Sequence, residues 1–363
     1  MPNFENILVI KLKQLGDVLL STPVLTALKE AWPGVRVTYL VGRGTEEMLT
    51  DHPLLDGLMV VDRCRDTWSQ TVTLLRRLRQ ARFDLVLEMS GGDRGAFYTW
   101  VSGARDRLGF QKLRQPLWQR RGSFTRLLPR PPVTAHTVEH NLAMLAALGV
   151  AGRQPPLSFF WNDAVHRRVQ DLLRRHRLQP QSFVVMHPGA GWSFKSWTPE
   201  GYARVATALE QDRGLRVVLT GAPLEREERL AAAILEKCRG GPLNLVGHLT
   251  VKELGALMAQ ARFFFGVDSA PMHLAAAVGT PAAALFGPTG DFNWRPWGRG
   301  HLVIRKDWDC IPCGRDGCEG TKVSRCLTEL TPAEVLERLQ RWMNQFQGGD
   351  PMSLAPPEPL TLP

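Results

Sequence analysis

The stretch 263-FFFGVDSAPMHLAAAVGTPAAALFGPT-289 decides how the chain is read. It predicts a short apolar strand over Phe263–Val267, a polar turn through Asp268, Ser269 and Ala270, and a small-residue helix over Pro271–Val278. A break at Gly279-Thr280 and a second strand over Ala282–Phe286 follow. A proline opens the helix, so its free N–H groups and the positive end of its dipole point back at the turn. The alanines at 275–277 let the helix lie close to a sheet. Taken alone, the unit fits a packing βαβ element as well as an anion site, because packing units outnumber phosphate sites in doubly wound folds.

Working outward, the C-terminal half carries further strand candidates at Phe183–Met186, Arg216–Thr220 and Leu243–Val246, after a helix over Asp163–Arg175. The N-terminal half repeats the alternation. Ile7–Ile10, Val35–Val41, Leu58–Val61 and Leu85–Glu88 read as strands, with helices near Gly16–Ala31, Thr71–Gln80 and Val138–Leu148. Pro23 frees the carbonyl of Leu19, so the first helix is expected to kink or restart there. Strand–helix alternation in both halves predicts α/β architecture with parallel sheets, two Rossmann-like domains and a ligand cleft between them. The boundaries expected are 1–155, 156–331, a C-terminal helix over 332–347 free to pack back on the N-terminal domain, and a disordered tail over 348–363.

Composition narrows the function. The 363 residues suffice for two cores, and 44% hydrophobic with 22% charged residues is ordinary for a globular protein. A net charge of +10 points to an anionic partner. No zinc-finger array, RNP motif or basic zipper is present, so a nucleic-acid partner is not expected. The sequence shows no secretory signal and no run of about 20 apolar residues able to span a bilayer. The expected location is cytoplasmic.

Each half places chemistry after a strand. Gly16-Asp17 follows the first strand and puts a carboxylate in the first helical turn, where its charged form is favoured; it reads as a base or as a plain helix cap. In 187-HPGAGWSFKSW-197 the small residues Gly189, Ala190 and Gly191 let backbone N–H groups approach a phosphate, and Lys195 lies within loop reach. Glu225, after Thr220-Gly221, is sited to accept ribose hydroxyls, although Glu227 and Glu228 stand close by. Cys310, Cys313, Cys318 and Cys326 have the count for a structural zinc site, with packing or redox-sensitive thiols as alternatives. No histidine or carboxylate pairs with them at catalytic-zinc spacing.

These motifs, in this order, resemble glycosyltransferase family 9, the lipopolysaccharide heptosyltransferases. The resemblance rests on LGDVLLSTPVLTALKEAWPG (Leu15–Gly34), MHPGAGWSFKSWTPEGYARVA (Met186–Ala206), GVDSAPMHLAAAVGTPAAALFGPT (Gly266–Thr289) and the cysteine cluster. KLKQLGDVLLSTP (Lys11–Pro23) and CIPCGRDGCEGTKVSRCL (Cys310–Leu327) look nearest to the heptosyltransferase III subgroup, which adds a branch heptose to the inner core. The resemblance implies a GT-B fold, an ADP-heptose donor, inversion at the anomeric carbon and no cofactor or catalytic metal. It implies a phosphorylated glycolipid acceptor reached by peripheral contact with the inner membrane, where Arg94, Arg105, Arg107, Lys112 and Arg114 would face it. Asp17 matches the base, Lys195 the diphosphate lysine, and Asp268 the acid near the donor sugar. Ser269 and Ala270 match phosphate-facing amides, Glu225 resembles the ribose glutamate, Leu249 matches an apolar residue against adenine, and His273 completes the donor set. Lys13 stands where many members have serine, and Ala190 and Gly191 replace phosphate-contacting threonines. The rival readings are another nucleotide-sugar transferase on this fold and a non-catalytic, polyanion-binding basic module.

Overall fold

Runs of buried β-branched and aliphatic residues set the sheets. In the computed structural model, which describes residues 3–62, 67–111, 122–150, 152 and 154–345, every residue of β1 (Asn6–Lys11) is buried. A strand covered on both faces reads as a continuous apolar run rather than an alternating one. The N-terminal unit adds β2 (Arg36–Gly42), β3 (Gly57–Val61), β4 (Leu85–Glu88), β5 (Asp106–Phe110) and β6 (Arg126–Leu128). Its helices are α1 (Leu15–Leu19), α2 (Thr22–Ala31), α3 (Trp68–Gln80), α4 (Asp93–Ser102) and α5 (Thr137–Ala146). The sheet is parallel, in the order β3-β2-β1-β4-β5-β6.

The C-terminal unit repeats this plan. Its strands are β7 (Phe183–His187), β8 (Arg216–Leu219), β9 (Leu243–Asn244), β10 (Phe263–Val267), β11 (Ala282–Leu285) and β12 (Leu302–Ile304). They form a second parallel sheet, β12-β11-β10-β7-β8-β9. Its helices are α6 (Asp163–Arg175), α7 (Pro199–Arg213), α8 (Glu225–Lys237), α9 (Val251–Met258), α10 (Ala270–Ala277), α11 (Asp291–Trp294), α12 (Arg325–Thr328) and α13 (Pro332–Gln345). In both sheets the strand order reverses beside the first strand, between β1 and β4 and between β7 and β10. Such a reversal sends the flanking connections apart and leaves a crevice at the carboxyl ends of the two central strands.

The expected restart at Pro23 is present, and its cause is visible. Between α1 and α2, Ser21 Oγ donates to the Val18 carbonyl at 2.6 Å and Thr22 Oγ1 to the Leu19 carbonyl at 2.9 Å. Side chains thus take the carbonyls that a continuous helix would have bonded. Between the expected strand at Leu85–Glu88 and the expected helix at Val138–Leu148 the chain also forms α4, β5 and β6.

The units meet in sequence at Phe160 and Trp161. Residues up to 160 belong to the first because Ser158 N donates to Thr22 Oγ1 (3.1 Å) and Ser158 Oγ shares a hydrogen bond with His52 Nε2 (2.9 Å). The C-terminal helix buries its apolar face in its own unit. Val335, Leu339 and Trp342 join the core of β7, β8 and β10, with the Trp342 ring 5.4 Å from Phe263. Within that unit the helix packs on α7 and β12. The tail over 348–363, residues 346–347 of the helix, Ala151 and Arg153 near the expected domain boundary, Lys112 and Arg114 lie outside the described residues.

The start of α13 is held by charge. Glu334 and Thr331 exchange backbone and side-chain bonds, and Lys306 Nζ donates to Glu334 Oε1 at 2.8 Å. The Lys306 bond, then those of Thr331, hold the Glu334 carboxyl at about 2, below its usual 4.5. A depressed carboxylate contributes stability above its unfolded value and loses it as pH falls through the folded one. Denaturant midpoints of wild type and Lys306→Met should therefore differ at pH 6 and converge between about 4.5 and 2. A gap independent of pH would contradict this role.

Candidate functional site

At the crevice of the C-terminal sheet, β10 ends in Asp268, which is 4% exposed. Burying a carboxylate is costly unless it is paired and hydrogen-bonded. Lys195 Nζ meets Asp268 Oδ2 at 2.6 Å, and Thr289 Oγ1 donates to the same oxygen at 2.7 Å. The pair closes from β10 to the loop after β7, and Thr289 arrives from the loop after β11. Buried residues bracket Lys195 and fix its loop. Phe194 is buried on one side, and Trp197 on the other packs edge-on to Tyr202 and donates Nε1 to the Leu330 carbonyl at 2.8 Å.

Beside this pair, α10 begins with Ser269 as its N-cap and no side-chain cap, with Pro271 in the first turn. The Ser269 hydroxyl instead bonds back to the Val267 carbonyl at 3.3 Å. Pro271 has no N–H and the Met272 N–H bonds to the Ser269 carbonyl at 3.1 Å, so the Ser269 and Ala270 amides are the ones left to water or a ligand, which suits an anion. His273 is buried in this helix, its ring 6.5 Å from that of Trp294.

A second carboxylate faces the loops after β7 and β8, and it is not Glu225. Glu225 lies on the outer face of α8 with its side chain 80% exposed, paired with Arg229. Two positions on, Glu227 is 8% exposed and accepts from the Ala222 N–H at 2.7 Å. A Cβ at Gly189 would stand 2.6 Å from Glu227 Oε2, and one at Gly221 2.8 Å from it. The two glycines are what make room for this carboxylate. Helical geometry explains the correction, because residues two apart point to opposite sides of a helix. His187, at the end of β7, stands 4.0 Å from Glu227 and bonds to Thr220 Oγ1 at 3.1 Å. Burial pulls its imidazole down to about 4, so it is neutral near pH 7.

The remaining expected residues fall as follows. Ala190 is half-buried and Gly191 exposed in the loop between β7 and Lys195. Leu249 is half-buried beside Thr250, the N-cap of α9. No role is read for Thr289 or Glu227 from sequence; Thr289 lies in the loop after β11 and Glu227 in the first turn of α8.

The crevice of the N-terminal sheet holds Asp17, in the first turn of α1 with its side chain 20% exposed. Behind it Lys11, the last residue of β1, is buried with Nζ 4.0 Å from Asp17 Oδ1. Glu88, the last residue of β4, is 2% exposed and accepts from the Ser90 and Gly91 N–H groups at 2.9 and 3.0 Å. Burial raises its carboxyl above the ordinary range, and those bonds and Lys11 oppose the rise.

The four cysteines, read above as a possible zinc set or as packing or redox-sensitive thiols, carry no disulfide. Cys310 and Cys313 are exposed, Cys318 is half-buried and Cys326 is buried, all as free thiols. Burial, with Cys318, Cys313 and Cys310 adding to it, pushes the Cys326 thiol up to about 11. Among the described residues, no group of three or more His, Cys, Asp or Glu side chains is arranged to hold a metal ion. Arg107 is also committed elsewhere: its guanidinium donates to the carbonyls of Ser123, Ala104 and Gly122.

Comparison with known proteins agrees with this layout. The profile of glycosyltransferase family 9 (heptosyltransferase) matches residues 71–324. A lipopolysaccharide heptosyltransferase 3 of Escherichia coli is 32% identical over 289 residues, covering 78% of this chain and 83% of the relative. Among solved structures, a family 9 glycosyltransferase from Veillonella parvula superposes with a TM-score of 0.80 at 22% identity, over 94% of this chain and 98% of that one. The E. coli ADP-heptose lps heptosyltransferase II gives 0.73 at 22% identity, over 94% and 99%. The α/β, GT-B fold class expected from the sequence is the one these structures share.

Neutralising the buried acid tests the pair directly. Asp268→Asn leaves the Lys195 ammonium without its counterion and should cost roughly 1–3 kcal/mol in denaturant unfolding, discounted for the partial exposure of Lys195. Stability equal to wild type would show that the pair does not hold this crevice.

Proposed function

The chain belongs to glycosyltransferase family 9, and on that premise we propose that it transfers heptose from ADP-heptose to the inner core of lipopolysaccharide, adding the branch heptose to a heptose already present. The observation that carries this reading is the Lys195–Asp268–Thr289 constellation at the strand-order reversal of the C-terminal unit, within a chain 32% identical to a heptosyltransferase 3.

In this reading the donor belongs to the C-terminal unit. Its diphosphate takes the Lys195 ammonium, the amides of Ser269 and Ala270 at the start of α10, and the backbone donors of Gly189, Ala190 and Gly191. Fixed donors aimed at a developing charge are worth more than mobile water, because they need no reorganisation as the bond breaks. Neutral His187 leaves Lys195 as the cation beside Asp268. Glu227, in place of Glu225, accepts from the ribose hydroxyls, Leu249 lies against adenine, and Asp268 and His273 border the sugar.

The acceptor belongs to the N-terminal unit. Asp17 takes the proton of the acceptor hydroxyl as the new carbon–oxygen bond forms at the anomeric carbon. The bond to ADP breaks on the opposite side, and the displacement inverts the centre. This chemistry asks nothing of a metal or a further cofactor. The net charge of +10 and the exposed Arg94 and Arg105 support an anionic, phosphorylated acceptor. We place the enzyme at the cytoplasmic face of the inner membrane as a peripheral protein. No described helix is long and apolar enough to cross a membrane.

The decisive assay incubates the chain with ADP-heptose and a truncated core acceptor, with mass and linkage analysis of the product. Asp17→Ala should lower transfer by about 10²–10⁴-fold while leaving ADP affinity within about twofold, because base catalysis contributes on that scale. Near-normal turnover in that variant would remove Asp17 from the role. Glu227→Ala should weaken ADP binding about tenfold and Glu225→Ala should leave it unchanged, measured by calorimetry. The reverse order would restore Glu225. Acceptor affinity should fall as salt rises from 50 to about 500 mM, as screening demands.

A further inference from the structure

One charged side chain in the N-terminal crevice has no part in the reaction as drawn. Lys11 is 3% exposed, and its Nζ donates to Asn141 Oδ1 at 3.0 Å and to the Met89 carbonyl at 3.4 Å. Both acceptors are uncharged. Asn141 is itself oriented, because its Nδ2 donates to the Leu20 carbonyl at 2.9 Å, so its oxygen is the atom presented to Lys11. A buried ammonium satisfied only by neutral groups would be costly, and an apolar residue would serve packing better. What accounts for the charge is the carboxylate on its remaining side, Asp17 Oδ1 at 4.0 Å.

We infer that Lys11 is the positioning residue of the Asp17 base: anchored from behind by Asn141 and Met89, its ammonium holds the Asp17 carboxylate in place and sets a positive charge beside it. The inference rests on the reading of Asp17 as the base. Burial lowers the proton affinity of Lys11, and Asp17, ahead of Glu88, works against that loss. Glu88 is the other buried carboxylate in range, and its oxygens are engaged by the Ser90 and Gly91 amides. Exposed Lys13 adds a like charge from the solvent side. His140, beside Asn141, has its imidazole lowered chiefly by burial, with smaller effects from the Pro132 carbonyl, Arg130, Lys11 and Glu139. The ammonium therefore serves as the fixed charge behind the base.

The test is the pH profile of transfer by the full chain, with ADP affinity as the control for the other unit. Lys11→Gln keeps a donor for Asn141 and removes the charge. It should lower kcat at least tenfold near pH 7, move the limb on which activity is lost on acidification to higher pH, and leave ADP affinity within about twofold. Lys11→Arg, which keeps the charge, should retain the wild-type limb. A folded Lys11→Gln enzyme with an unmoved limb overturns the inference. Should that variant fail to fold, near-isosteric Asn141→Asp draws the ammonium from Asp17 and should move the limb the same way; an unmoved limb there overturns it equally. Absence of heptose transfer by wild type would instead overturn the function proposed above.

Discussion

A 2.6 Å bond between Lys195 and Asp268 is the contact on which the C-terminal crevice depends. It exists because of topology. Where strand order reverses between β7 and β10, the ladder runs as far as His187 and Gly266, and beyond it the loops leaving the two strands diverge. A buried carboxylate on one strand and a cation on the other loop close that opening. Thr289 and the Trp197 anchor hold the pair from two further directions. A preorganised cation in a partly covered site is also what a diphosphate leaving group requires, so on the function proposed above one contact would serve stability and chemistry together.

The N-terminal unit solves the same problem with the charges rearranged. Its crevice lies between β1 and β4, and there the buried cation is on the strand and the accessible carboxylate on the helix. Lys11 reaches across to the Met89 carbonyl beyond β4, as Lys195 reaches to Asp268 at the end of β10. In one unit the more accessible group is the carboxylate and in the other it is the cation. Repeated topology thus supports opposite chemistry, because the residue placed at the crevice and not the fold sets the sign of the charge.

Much of this was legible in the sequence, for identifiable reasons. Central strands such as β1 and β10 are buried on both faces and read as unbroken apolar runs. The edge strands β6 (RLL) and β12 (LVI) are three residues long and partly exposed, too short for a period to show. Helix α4 carries exposed Phe97 and Trp100 on its outer face, which blurs its amphipathic pattern. Pro23 announced the restart between α1 and α2, because its missing N–H has a local consequence that needs no tertiary context.

The sequence by itself determined the two α/β halves, the loops that carry Asp17, Lys195 and Asp268, and an excess of positive charge. These follow from short-range rules of period, turn chemistry and helix ends. The tertiary structure alone decided which carboxylate of α8 turns inward, because Glu225 and Glu227 differ only in which face of a helix meets Gly189 and Gly221. It alone brought Thr289 to Asp268 and Lys11 to Asn141, partners 21 and 130 residues apart. Their contacts arise from how crossovers stack on a sheet, and local sequence carries no record of that geometry.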